Sequence, residues 1–238
     1  MSVTGMRFQS LTLMRRWRAW LLLLFIPLLV PADGRLDADD QRLVTRAEQT
    51  YGARAGKRVA AWRLLAMEGK GANWSERQRL ERVNNFFNQM RFIDDIKLWR
   101  RNDYWATPLE FLGAAGGDCE DFSISKYFTL LELGIPDEKM RMVYVKALRY
   151  NQFHMVVAYY ETPGAVPLIL DNLIPDIRPA TRRTDLAPVF SFNGSHLWLM
   201  KARGQGELAG NSSRLGLWND LRSRMTSGKL AQPKMRLE

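Results

Sequence analysis

The sequence predicts an α+β protein in which N-terminal helices are followed by an antiparallel sheet. Three observations carry that expectation. Two capping boxes, Ser75-Glu76-Arg77-Gln78 and Thr107-Pro108-Leu109-Glu110, mark helix starts in the first half of the chain. The hydrophobic period then changes from helical to alternating after Gly134-Ile135-Pro136. From there on, runs rich in Val, Ile and Tyr are separated by turn-forming residues. Helices first and strands later is the order of an α+β domain.

Taken in chain order, residues 39–66 place charged and apolar side chains at helical spacing. In the Ser75 box the hydroxyl takes the amide of Gln78, and Gln78 reaches back. Leu80, Val83, Phe86, Phe87 and Met90 then follow on one face. The Thr107 box has Pro at the first helical position and opens a short helix that stops near Gly113. Gly116-Gly117 precedes a third helix, from Cys119 to about Leu133, that Gly134 and Pro136 terminate. Strands are expected at Met140–Ala147, Phe153–Tyr160, Pro167–Asp171 and Leu197–Ala202. There is no internal repeat.

Composition sets limits on function. The chain has 238 residues, two His and one Cys. One Cys excludes an intramolecular disulfide and any structural zinc site built on several thiolates. Two His exclude a His-rich metal centre. The formal charge of +10 suggests nucleic acid or an anionic membrane, so its distribution matters. Arg7, Arg15, Arg16 and Arg18 precede an unbroken apolar run, Ala19–Val30, and no acid occurs in residues 1–32. Twelve helical residues rise about 18 Å, too short for a hydrocarbon core of about 30 Å. Residues 1–32 therefore read as a secretory signal peptide cut near Ala32, with an uncleaved inner-membrane anchor as the alternative. Residues 33–200 form the expected catalytic domain. Residues 201–238 hold eight Lys and Arg against three acids and are rich in Gly and Ser. They read as a flexible, solvated tail with a short helix around Trp218–Met225. The central region is nearly neutral and carries no basic stripe with interleaved aromatics, so no nucleic-acid partner is expected.

The segment Gly116-Gly-Asp-Cys-Glu-Asp is the chemical centre of the sequence. Cys119 sits at a helix start, where the helix dipole favours thiolate. A lone Cys is often an inert core residue, but Asp118, Glu120 and Asp121 would not flank one. Those carboxylates raise the thiol pKa. A cation on them resolves the conflict, and oxygen ligands in an exported protein suit calcium. The other reading is that the acids only complement the helix dipole. A nucleophilic Cys needs a base. His154 lies in an apolar strand and His196 in a turn. Asp171 ends the next strand, where it could orient the imidazole of His154.

These residues also carry a resemblance. The stretches Trp105-Ala-Thr-Pro-Leu-Glu-Phe-Leu, Gly116-Gly-Asp-Cys-Glu-Asp-Phe, Ile124-Ser-Lys-Tyr-Phe, His154-Met-Val, Leu170-Asp-Asn-Leu and Ser191-Phe-Asn resemble the bacterial transglutaminase-like cysteine proteinases, the periplasmic proteases of the LapG type. The resemblance runs from about Arg42 to Leu199. It implies a papain/transglutaminase-like fold, with Cys119 as nucleophile, His154 as general base and acid, and Asp171 as the orienting residue. It implies calcium dependence, with Asp118 and Glu120 at family ligand positions; Asp121 is added from its spacing. It further implies a periplasmic location and a large surface adhesin as substrate, cut in its N-terminal region to release it and disperse a biofilm. The implied partner is an inner-membrane cyclic di-GMP receptor that sequesters the protease through its periplasmic domain. The alternative chemistry is that of a transglutaminase or amidase working through the same acyl-enzyme. A non-catalytic module with a vestigial site and a basic-tail binder are the readings from other classes. Because the tail lies outside the resemblance, cleavage is expected to survive deletion of 201–238.

Overall fold

A computed structural model describes residues 36–200 and 206–237. The apolar run at 19–30 and its signal-peptide reading lie outside the described residues. Among the described residues, no helix is long and apolar enough to cross a membrane. Residues 34–238 form one compact unit, and the rest of this description concerns that unit.

The helical first half contains α1 (Ala38–Tyr51), α2 (Ala53–Gly71), α3 (Glu76–Phe87), the short α4 (Asp95–Leu98), α5 (Pro108–Ala114) and α6 (Cys119–Glu132). The helical pattern over 39–66 is divided between α1 and α2 at Gly52, whose φ of +100° suits glycine. Both capping boxes form. Ser75 and Thr107 each accept the amide three residues on, and Gln78 and Glu110 reach back to the cap amides. Glu110 is fully buried because its carboxylate takes part in more than the cap.

The second half is a seven-stranded antiparallel sheet. Its strands are β3 (Met140–Ala147), β4 (Gln152–Tyr159), β5 (Leu168–Leu170), β6 (Arg178–Pro179), β7 (Leu186–Phe192), β8 (His196–Met200) and β9 (Gly206–Asn211), in spatial order β6-β5-β4-β3-β7-β8-β9. Two-residue strands β1 (Arg91–Phe92) and β2 (Gly116–Gly117) pair in parallel apart from it. Helix α6 lies on β4 and β3. Met140, Met142, Met155, Val157, Leu170 and Phe192 point into the core it shares with Phe111, Phe122 and Leu130. Val143, Val145, Val156, Ala158 and Ile169 occupy the opposite face, as the two-residue period of a strand requires.

Strand β7 escapes sequence reading because Pro188 interrupts it. The register against β3 shifts between Tyr144 and Val145, so that Val145 faces Pro188. A bulge of this kind is where a sheet tolerates proline.

The C-terminal segment requires a correction. Its described part, 206–237, is neither a flexible tail nor separate from the domain that was expected to end at 200. Strand β9 extends the sheet, and α7 (Gly216–Ser227) packs on the core. Trp218 is fully buried, stacks on Phe128 with ring centroids 5.5 Å apart, and meets Phe192 edge-on at 5.4 Å. Beyond α7 the chain returns to α4, where the Lys234 amide donates to the Leu98 carbonyl at 2.7 Å. The segment is rich in glycine and serine, but Trp218 and Leu221 lie one turn apart and anchor the helix. Trp218→Ala is therefore expected to cost about 3–5 kcal/mol in urea unfolding. Truncation after Met200 is expected to abolish cooperative unfolding. A truncated chain that still unfolds cooperatively at the wild-type midpoint would contradict this packing.

Candidate active site

Two pieces of backbone fix the start of α6. The Arg91 amide donates to the Ala115 carbonyl at 3.2 Å and the Ile93 amide to the Gly117 carbonyl at 2.9 Å. This β1–β2 pairing holds the residues leading into Asp95 beside those leading into Asp118. The glycine pair is needed for close approach. A Cβ on Gly116 would collide with the Arg91 carbonyl, and one on Gly117 with the Asp121 carboxylate.

Asp95, Asp118 and Asp121 converge here, each offering one carboxylate oxygen, all within 4.8 Å of one another. The other oxygens are partly committed. Asp95 Oδ2 accepts the Tyr104 amide at 2.5 Å, and Asp121 Oδ1 accepts the Ala106 amide at 2.7 Å. Asp118 is the N-cap of α6, yet its side chain caps no amide. Asp95 Oδ1, Asp118 Oδ1 and Asp121 Oδ2 are buried with no hydrogen-bond partner. Burial and mutual repulsion push Asp95 up to about 7 and Asp118 up to about 12, and push Asp121 up well above a free aspartate. Three carboxylates brought this close, each with a buried oxygen that has no donor, make a poor protein interior and a good hard-cation site. The geometry argues against acids that merely complement the helix dipole.

The structure thus unites two of the three acids expected to bind metal, Asp118 and Asp121, and adds Asp95 to them. Glu120 accepts the Cys119 thiol at 2.8 Å and lies beside Asp118, whose pKa its charge helps to raise. Sequence reasoning missed Asp95 because it lies 23 positions before Asp118 in an Asp94-Asp95 pair that reads as an ordinary helix start.

Cys119 is buried at the first position of α6. Burial pushes its thiol pKa up, as do the nearby charges of Glu120 and Asp118, while a backbone hydrogen bond from Met155 works against them. His154, adjacent to Met155 on β4, shares with Cys119 a small cleft that Phe92, Tyr150, Phe153 and Leu173 also line. The ring of His154 meets Asp171 Oδ1 through Nε2 at 2.7 Å. His196 starts β8, is exposed, and lies against Trp198 on the far side of the sheet. Of the two histidines, His154 shares the cleft of Cys119 and His196 does not.

Asp171 immediately follows β5 and is fully buried. Its Oδ1 also accepts the Leu173 amide at 3.0 Å, and its Oδ2 accepts Arg183 at 2.7 Å. Its burial would raise its pKa, but His154, the Leu173 amide and Arg183 outweigh it and hold the carboxyl down to about 2. Arg183 is itself buried and is also paired with Asp185. It was not anticipated, since a lone Arg in Thr181-Arg182-Arg183-Thr184 carries no local signature. On α6, burial brings the Lys126 ammonium down to about 7 against the pull of Asp171.

Thiol, imidazole and buried carboxylate, at the start of α6, on β4 and just past the neighbouring β5, define a cysteine hydrolase of the papain and transglutaminase type. Residues 66–186 match the family described as bacterial transglutaminase-like cysteine proteinase, BTLCP. The chain is similar to solved structures of Legionella pneumophila LapG. For the EGTA-treated form identity is 41%, with a TM-score of 0.68, over 78% of this chain and 97% of that one. For the calcium-bound form identity is 42%, with a TM-score of 0.67, over 78% of this chain and 98% of that one. None of the curated proteins compared with the chain matches it. The chain belongs to the bacterial transglutaminase-like cysteine proteinases and is a cysteine protease.

The depressed pKa of Asp171 has a pH consequence. With the folded value at about 2 and a free value of 3.8, its contribution is complete above about 3.8 and is lost as pH falls toward 2. Arg183→Met removes one cause of the depression and leaves a buried carboxylate short of a partner. We expect about 3–5 kcal/mol lower stability at neutral pH and a smaller loss between neutral and acidic urea titrations. A variant whose stability falls with acid as steeply as the wild type would show that Arg183 does not hold Asp171.

Proposed function

We propose that this protease is exported to the periplasm, depends on calcium, and cleaves the N-terminal region of a large surface adhesin to release it and promote biofilm dispersal. The observation that carries the calcium reading is the set of three buried carboxylate oxygens without donors beside the catalytic thiol. The calcium-bound form among the similar structures supports it. The adhesin substrate and an inner-membrane cyclic di-GMP receptor, which sequesters the protease through its periplasmic domain, are supported by the family motifs around Cys119, His154 and Asp171. Periplasmic location is supported by the basic stretch and short apolar run of residues 1–32.

In this mechanism Asp171 holds the imidazole of His154, and Arg183 holds Asp171. His154 takes the proton of Cys119, and the thiolate attacks the scissile carbonyl. The amide of Cys119, a first-turn amide with no acceptor in its own helix, and a donor from the Trp105 region receive the oxyanion. His154 then protonates the leaving amine, and water hydrolyses the thioester. Asp95, Asp118 and Asp121 would hold the cation. Bound calcium would supply positive charge that offsets the carboxylates opposing the thiolate.

The test is a digest of the adhesin's N-terminal region with and without EGTA. Cleavage is expected in calcium and not in chelator, and Cys119→Ala is expected to abolish it. His154→Gln should lower kcat/KM by about 10²–10⁴-fold. Cleavage by Cys119→Ala would refute the nucleophile. Undiminished cleavage in chelator would refute the calcium requirement.

A further inference from the structure

We infer that Arg224, in the C-terminal segment outside the matched family region, is a positioning residue for the carboxylate cluster. The inference rests on the reading of Asp95, Asp118 and Asp121 as a calcium site. Its own basis is the chain of contacts from α7 to that cluster.

The loop 103–107 runs between α4 and α5 and supplies the donors of two cluster acids. The Tyr104 amide orients Asp95, and the Ala106 amide orients Asp121. Between these two amides, the Trp105 carbonyl points the other way and accepts Arg224 at 2.6 Å. The same guanidinium bonds Glu110 and lies over the Tyr104 ring, 4.4 Å from its centroid. Glu110 closes the circuit. Its carboxylate accepts the Thr107 amide, the Tyr104 hydroxyl and the Ala231 amide, each at 2.8 Å. Tyr51 then bonds the Ala231 carbonyl at 2.7 Å.

Arg224 therefore contacts residues 104, 105 and 110 from one planar fork. The Trp105 carbonyl and the Ala106 amide belong to one trans peptide unit, whose planarity points the two in opposite directions. Holding the Trp105 carbonyl outward sets the Ala106 amide inward, toward Asp121. Stacking on Tyr104 and bonding Glu110, which takes the Tyr104 hydroxyl, holds the residue whose amide orients Asp95. The donors that aim the unpaired oxygens of Asp95 and Asp121 are thus held from the C-terminal segment. A lysine would keep the charge but not the simultaneous contacts with Glu110 and the Trp105 carbonyl.

The test is calcium titration of the full chain by calorimetry, beside thermal unfolding in chelator. Arg224→Lys and Arg224→Met are expected to weaken calcium binding by about 10–100-fold. Asp220→Ala removes an exposed partner of Arg224 on the same helix and is expected to keep wild-type affinity. A lower unfolding temperature in chelator with unchanged calcium affinity would mark a merely structural role and overturn the inference. If the Arg224 variants do not fold, hydrogen exchange of the wild type decides. Calcium is expected to slow exchange in both 103–107 and 216–227, because coupling between sites is reciprocal. Protection confined to the cluster would overturn the inference. A wild type that binds no calcium would overturn the site reading itself, and the inference with it.

Discussion

Three carboxylates confined at one helix start are the constraint on which this molecule is built. Asp95, Asp118 and Asp121 each present an oxygen to one small space, and each has a buried oxygen without a donor. Left alone, such groups resist ionisation, and their raised pKa values express that. They also oppose the thiolate that the adjacent Cys119 must form. The fold brings them together at a cost in self-repulsion, and it does so with backbone that has few alternatives. The β1–β2 pairing admits glycine alone at 116 and 117 without a shift of neighbouring atoms, and loop 103–107 turns its amides toward the acids.

The catalytic triad is organised on a different principle. His154, Asp171 and Arg183 form a line of buried polar groups on the sheet side of the cleft, in which both Asp171 oxygens are paired. Nothing there requires an added charge. The negative charge of Asp171 has a histidine on one oxygen and an arginine on the other. The two halves meet at Cys119, which in the present arrangement bonds Glu120. The base side is complete within the chain, while the thiol side carries an excess of negative charge. That asymmetry is the physical basis of the proposed calcium requirement.

The sequence displayed the parts with local signatures and concealed the parts without them. Capping boxes at Ser75 and Thr107, the glycine pair, and the alternation in β3 and β4 are short-range patterns, and each formed as read. Cys119, His154 and Asp171 were legible because each stood in an environment unlike its residue type. Asp95 and Arg183 were not, since their roles depend on contacts 23 and 12 positions away along the chain. The C-terminal segment misled because composition averages over position. Its many glycines and serines suggested a solvated tail, whereas three side chains, Trp218, Leu221 and Arg224, determine where it goes.

The cluster's composition is the central claim, and Asp95 is the member that only the fold reveals. Titration of calcium into the wild type and into Asp95→Asn tests it most directly, with circular dichroism confirming that both are folded. The account predicts one calcium per wild-type chain and binding weakened by at least about tenfold in the variant. A folded Asp95→Asn protein that binds calcium as tightly as the wild type would contradict it.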